Sequence, residues 1–492
     1  MSISNMLRRH SNFCYGYNPT FFQTGSLFDF EAGRPSEGEN GDLIVGGGFG
    51  NFIAAVQGKG NVFKTTTMLS LLIKALGIYP DSNLIILDTE GSIVSDLMRL
   101  TKLSDKPGLE ILKNIHPLRG GEYDISSFFE LLTKIIDERE RMDEDQLYVE
   151  SPFVNLETKK KTRVRKPLFV LIDSFSEIGC KESQDIIDRD GLTGGKFNTI
   201  HLITGNKKST LFQQLRMLSE KYEISVILSS QLGENFQLDP FAPKSKQLGE
   251  MKMNEKSKGT SSKYNFLVHV LLQILTATPY FSDAQKTETK YPYDQFTLPK
   301  DLFELHAKFV RTKVNMTGND ITKFVFSQRN GLSNDLTHLD YLKDSYYPSV
   351  NSSTKPVPYF GLTPANGSIL ASKLLPEIKF NRKQIRKLTE EKYEVSRALE
   401  ICSHLHYVQT NWSEYIRDRY PNFITPDMLR DHLESNASSI KVQDMLNSRS
   451  YWTYDKENKR PWMNIFKIMD LMKDVTPGVQ SVVPVQLEKK KK

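Results

Sequence analysis

The chain has 492 residues, a formal charge of +6, 38% hydrophobic and 25% charged residues, so at about 100–200 residues per domain it holds two or three domains rather than one small module. With 28 Phe and 20 Tyr it carries too much apolar material for a disordered chain. The longest apolar stretch, Phe266 to Phe281, is broken by His269, Gln273 and Pro279; it falls short of the roughly 20 clean apolar residues of a spanning helix, so no membrane span is expected.

In chain order, the opening MSISNMLRRHSN has no apolar run behind its arginines, and no secretory leader is expected. Residues 1–23 read as an arm whose aromatics (Phe13, Tyr15, Tyr17, Phe21, Phe22) follow no period and need a surface to cover, their own core or a neighbouring subunit. From 24 to 345 short apolar runs alternate with amphipathic helices. The runs are FIAAVQ (52–57), LIILD (84–88), LFVLID (168–173), ISVILSS (224–230), FLVHVLLQIL (266–275) and FELHAKFV (303–310). Helical periodicity covers Thr65–Leu76, Ile125–Asp137 and Thr210–Lys221. This pattern predicts an α/β fold with a mostly parallel central sheet covered on both faces.

Residues 346–380 begin with four prolines among Ser, Asn and Gly and read as a linker. Residues 381–492 read as a smaller, mainly helical domain with a basic tail. It has a charged amphipathic helix over Arg382–Ser403, a helix over Asp427–Ser435 capped by Thr425-Pro426, a short one over 439–447, and a hairpin turning near Asp455–Asn458. Cys14, Cys180 and Cys402 stand far apart without CxxC or Cys/His spacing, which argues against a disulfide framework or a zinc site and fits a reducing, cytoplasmic compartment. Six positive charges in KKKTRVRK (159–166) and four lysines at 489–492 can neutralise phosphates of a nucleic acid, although a short charge run is more often a solvated loop.

The strongest chemical signal is AVQGKGNVFKTTT, 55–67. A strand runs into a glycine turn and then a helix. Main-chain N–H groups over Gly58, Lys59, Gly60, Asn61, Val62, Phe63, Lys64, Thr65 and Thr66 are arranged to surround phosphates, with Lys64 on the β/γ oxygens and the Thr65 hydroxyl on Mg²⁺. Against GxxxxGK[ST], Phe63 replaces the last glycine, where a bulky residue is strained if the loop needs positive φ. Two more apolar runs end in acidic residues: Asp88-Thr89-Glu90 and Asp173-Ser174. Asp173 is placed to hold Mg²⁺ and Glu90 to orient or deprotonate water, while Asp88 reads as a helix cap. A fourth run ends in Gln231, whose amide suits a γ-phosphate sensor.

The order of phosphate loop, strand plus TE, strand plus DS and strand plus Q resembles the RecA-like recombinase core, closest to bacteriophage strand-exchange proteins of the UvsX type. Phe63, CKESQD (180–185), Leu211-Phe212, Gly259-Thr260 and Arg311-Thr312 also match that group; Gln231 departs from it, since UvsX-type proteins have His there, and the loop after Gln231 is longer. The resemblance spans roughly residues 24–330. It implies a DNA-dependent ATPase that uses ATP and Mg²⁺, with Arg311 and Lys313 reaching the ATP site of an adjacent subunit. It further implies single-stranded and duplex DNA as partners, a helical filament in preference to a ring, and single-strand-binding and mediator proteins as helpers. DNA is expected on two loops. The first runs from Gly179 to Lys208, loosened by Gly191, Gly194 and Gly195. The second runs from Leu232 to Ser262, with Phe236 and Phe241 for bases and Lys244, Lys246, Lys252, Lys256 and Lys258 for phosphates. Four acids in the second loop leave it a net +1, so its length and position, not its charge, carry that assignment.

The alternative readings are a hexameric replicative helicase, disfavoured because the core starts within about 25 residues of Met1, and a degenerate RecA-like structural or mediator protein, for which Phe63 speaks and the pair Glu90 and Asp173 speaks against. The expected setting is the cytoplasm, that of an infected bacterium for a phage-encoded chain.

Overall fold

The computed structural model describes residues 23–48, 53–101, 108–155, 159–190, 197–234, 255–257, 260, 262–282, 284–294, 296–313, 321–346, 362–365, 369–435 and 440–473. The apolar runs form a ten-stranded sheet. Its strands are β1 (Ile53–Gly58), β2 (Asn83–Asp88), β3 (Ile115–Arg119), β4 (Leu168–Asp173), β5 (Ile224–Glu234), β6 (Glu255–Ser257), β7 (Val270–Pro279), β8 (Leu302–Thr312), β9 (Ile321–Ser327) and β10 (Gly331–Ser333). The order across the sheet is β10-β9-β8-β7-β1-β5-β4-β2-β3, with β6 paired to β5. The run from β7 to β3 is parallel, and β8, β9, β10 and β6 are added antiparallel.

Side chains alternate across a strand, so β1 sends Ile53 and Ala55 to one core and Ala54 and Val56 to another. The first core is closed by Phe128, Leu132 and Ile136 of the helix Ile125–Arg139 and by Leu211, Phe212 and Leu215 of the helix Phe197–Tyr222. The second is closed by Met68, Leu69, Leu72 and Ile73 of the helix Lys64–Ile78. Burial on both faces is why these strands read as unbroken apolar runs.

The remainder of the chain differs from the sequence expectation in four respects. Residues 362–365, 369–372 and 375–380, inside the expected linker, pair as a three-stranded antiparallel sheet; proline-rich composition hid strands that supply each other's hydrogen bonds. The mainly helical region 381–473 has no core of its own, because Val395, Leu399, Trp412 and Phe466 belong to the same cluster as Met68 and Leu72. Phe30 meets Trp412 at 5.3 Å and Tyr79 meets Trp452 at 5.2 Å between ring centroids. The helix expected over Arg382–Ser403 breaks at the extended Lys392 into Ile385–Glu391 and Tyr393–Asn411. The turn at Asp455–Asn458 forms, yet its flanks make only an isolated parallel bridge, Arg449 to Trp462; Trp452 and Tyr454 are committed to core contacts instead of a hairpin ladder. The Thr425-Pro426 cap is present, with the Thr425 hydroxyl accepting from Met428 N–H at 3.2 Å.

Of the arm, Gln23 is described: its side chain donates to Val45 O and accepts from Trp452 N–H. The rest of it lies outside the described residues.

Candidate functional site

Register sets the site. Asp88 stands beside Asp173 on β2 and β4, and Gly58 beside Gln231 on β1 and β5; with Ile172 beside Leu228 the two pairs are offset by two residues, and all four lie at the carboxyl edge of the parallel strands, where open α/β sheets bind ligands. Adding a Cβ to Gly58 would bring it 2.8 Å from Val62 Cγ2 and 2.9 Å from Ile274 O, which only glycine avoids. Lys59, Gly60 and Asn61 are exposed, and Gly60 faces open space. The turn hands over to the helix at Phe63, which adopts the left-handed conformation (φ 58°, ψ 32°). Its ring is stacked on Phe326 at 4.6 Å and set edge-on to Phe303 at 4.8 Å. Left-handed backbone costs about 1–2 kcal/mol for a residue with a Cβ, and each aromatic pair returns about 0.5–1.5 kcal/mol. The aromatic setting therefore lets phenylalanine hold a glycine position.

Lys64 Nζ donates to Lys59 O at 2.9 Å, folding the lysine over its own turn. Burial lowers its pKa, opposed by the nearby Glu90 and Asp173 carboxylates. Thr65 donates its hydroxyl to Asp173 Oδ2 at 2.6 Å, and Ser229 donates to the other oxygen, Oδ1. Burial raises the Asp173 pKa, and these two hydrogen bonds restrain the rise. Glu90 is pushed up by burial and then by Asp173; Lys64 and a hydrogen bond from the Gln231 side chain oppose this. The Gln231 main-chain N–H donates to Ser176 Oγ at 3.2 Å. Thr65, Asp173, Lys64, Glu90 and Gln231 thus converge, with donors and carboxylates suited to a divalent cation, a phosphate and a water held together.

Asp88 is a cap: its carboxylate accepts from Gly91, Ser92 and Ile93 N–H groups at the start of the helix Ile93–Leu100. The Thr66 hydroxyl donates to Asp96 at 3.2 Å rather than facing the turn. Residues that the sequence reading missed hold the others in place. Ser229 grips Asp173, and Thr89 bridges to Ser174, accepting its N–H at 2.7 Å. The amine of the buried Lys208 donates to Ser176 O at 2.5 Å. The double serine closing ISVILSS was the visible signal for Ser229.

Arg311 and Lys313 do not join this site. Val270 pairs with Ala54 on one side and Thr312 on the other, so Arg311 and Lys313 lie at the amino edge of the parallel strands. Gly58 is four residues further along β1, about 13 Å at strand rise. The two cations gather with Arg216 and His269. Burial and then the neighbouring cations bring Lys313 down to about 8 and His269 to about 3, and the buried Arg311 Nε has no hydrogen-bond partner among the described residues.

The first expected DNA loop is corrected: most of Gly179–Lys208 is helix, as Lys181–Asp190 and the start of Phe197–Tyr222. KESQDIIDRD contains no glycine or proline to break a helix, and its Ser183 is buried against Thr204. Gly191, Gly194 and Gly195 lie outside the described residues. Of the second loop, Leu232–Glu234 pairs with Glu255–Ser257, with Lys256 opposite Gly233; Phe236, Phe241, Lys244, Lys246, Lys252 and Lys258 lie outside the described residues. Ser257, at the return of this loop, donates to Gln57 Oε1 at 2.6 Å, one residue before Gly58. Five of the six cations of the basic run 159–166 are paired in place: Lys159 with Glu37, Lys161 with Glu39, Arg163 with Glu144, Arg165 with Glu140, and Lys166 with Asp81. No described helix is long and apolar enough to cross a membrane.

No protein-family model matches the sequence, and no curated protein matches it.

Proposed function

We propose that the chain is an ATP-dependent DNA recombinase with a RecA-like core, nearest the UvsX-type phage strand-exchange proteins, which assembles on single-stranded DNA and exchanges strands with a homologous duplex. The observation that carries this reading is the convergence of Lys64, Thr65, Glu90, Asp173 and Gln231 on one sheet edge from four separate strand ends. The residues fit ATP and Mg²⁺. Gly58 excludes a Cβ, the turn beyond it is exposed, and the Thr65 hydroxyl already shares an oxygen of Asp173. In this reading Lys64 and the turn bind phosphate, while Thr65 and Asp173 hold the cation, whose role is to neutralise charge developing on the phosphates. Glu90 takes the proton of the attacking water. Gln231 senses the terminal phosphate and, through β5, bears on the loop that returns at Ser257 to Gln57.

The placement of Arg311 and Lys313 supports assembly. At the far edge of the sheet they are out of reach of their own Gly58 turn, and a cation acting on ATP from there acts on a neighbour's. Electron microscopy of the full-length protein with single-stranded DNA and a slowly hydrolysed ATP analogue tests the reading. Helical filaments are expected; closed six-membered rings would overturn it in favour of a helicase, and a protein that neither binds nor hydrolyses ATP in favour of a structural role.

A further inference from the structure

A second cluster of chemistry-bearing side chains lies in the core that joins the C-terminal helices to the sheet domain. Glu400 and His404 are four residues apart on the helix Tyr393–Asn411 and so share a face. His338 comes from the helix Asn334–Tyr346 packed against it. The ligand atoms of the three lie within 4.8 Å of one another. Both imidazoles are 1% exposed; His338 has Ser403 and the main chain of Gly25 for partners, whereas Nε2 of His404 has no hydrogen-bond partner among the described residues. Native structures rarely leave a buried nitrogen so. His338 Nδ1 is 2.7 Å from Ser403 Oγ, a contact that fixes the ring. Glu400 is steered by Arg397 at 2.6 Å and Ser450 at 2.5 Å, which leaves lone pairs on both carboxylate oxygens. Beside His404 and Ser450, and walled also by Gln23, Gly25 and Asp29, is a cavity of about 10 Å³, room for one ion or water and nothing larger.

We propose that His338, Glu400 and His404 form a binding site for a divalent cation of the zinc class, which fastens the helix Tyr393–Asn411 to the helix Asn334–Tyr346. Two imidazoles with one carboxylate suit zinc rather than magnesium or calcium, which take all-oxygen sets. Zinc–ligand bonds near 2.0–2.1 Å put tetrahedral ligand atoms about 3.3 Å apart, so the cluster needs to close by up to about 1.5 Å, within the reach of side-chain rotation. Ser403 and Arg397 are the outer groups that orient the ligands. The cysteine count could not reveal such a site, because no ligand is a cysteine. The proposal is independent of ATP and DNA binding.

The test uses the full-length protein, stripped with a chelator, dialysed and given equimolar Zn²⁺ without nucleotide. One retained equivalent by elemental analysis and an unfolding midpoint raised by several degrees are expected, since a ligand that binds only the folded state stabilises it. Co²⁺ in place of Zn²⁺ should give the visible absorption of a tetrahedral site. His404→Gln and Glu400→Gln should each lose the equivalent and the absorption, and the exposed His116→Gln should keep both. The proposal is overturned if the wild-type protein retains no metal and gives no cobalt absorption, or if His404→Gln and Glu400→Gln retain both. The wild-type cobalt spectrum decides even where a variant fails to fold.

Discussion

Thr65 donates its hydroxyl to Asp173 at 2.6 Å, joining the first turn of one helix to the end of a strand 108 residues later. Glu90, whose pKa burial raises, stands close enough for Asp173 to raise it further and Lys64 to lower it, so the groups proposed to serve cation, phosphate and base occupy one small space. Replacing Asp173 by Asn keeps the shape and removes the charge, and should abolish Mg²⁺-dependent ATP hydrolysis in a folded protein. Glu90→Gln should still bind ATP but turn it over about 10²–10⁴-fold more slowly. Because the Glu90 pKa is raised and the ionised form is the base, the wild-type rate should climb with pH above the ordinary carboxylate range. Single-turnover hydrolysis across pH measures both effects; an unchanged rate in Glu90→Gln would remove it from the chemistry.

Phe63 should invert the usual order of substitutions. Phe63→Ala keeps the left-handed backbone and loses the rings of Phe326 and Phe303, whereas Phe63→Gly loses the same contacts and relieves the backbone. Glycine should therefore be the less destabilising of the two, by about 1 kcal/mol. Urea unfolding midpoints at equal m-values check this. If alanine proves as stable as glycine, the positive φ carries no cost there.

Arg311→Ala should leave nucleotide binding to isolated protomers intact and lower DNA-stimulated hydrolysis. Mixing it with Lys64→Ala protein should restore activity, because the second protein can supply Arg311 to the intact site of the first. No rescue at any ratio would count against a cation acting across subunits.

Acid should loosen the region that holds the C-terminal helices. Burial brings His406 down to about 4 from an ordinary 6.5, while Tyr341 OH holds its Nδ1 at 2.9 Å. Between those values the unfolded chain binds the extra proton, so this contribution is complete above about pH 6.5 and is lost as the pH falls towards 4. The full shift is worth at most on the order of 3 kcal/mol. His406→Gln should narrow the difference in Tm between pH 7 and pH 5. An unaltered difference would mean that His406 does not protonate on unfolding.

The sequence by itself determined the parallel sheet and the residues at its carboxyl edge. Unbroken apolar runs arise only where both faces are buried, and an acid, an amide or a glycine turn closing such a run falls at the strand end, so Lys64, Glu90, Asp173 and Gln231 were legible one strand at a time. Tertiary structure alone decided what lies beside what. Register gathers the four strand ends at one edge and sends Arg311 to the other, and the pairing of β8 with β7 that does so is a contact between segments that local pattern does not encode. Phe63 read as a misfit because its compensation lies in Phe303 and Phe326, more than two hundred residues away. The C-terminal helices read as a separate domain because their amphipathic pattern shows that a face is buried without showing against what. Their partners, Phe30, Met68 and Leu72, come from the other end of the chain, and the same packing brings His338 to Glu400 and His404.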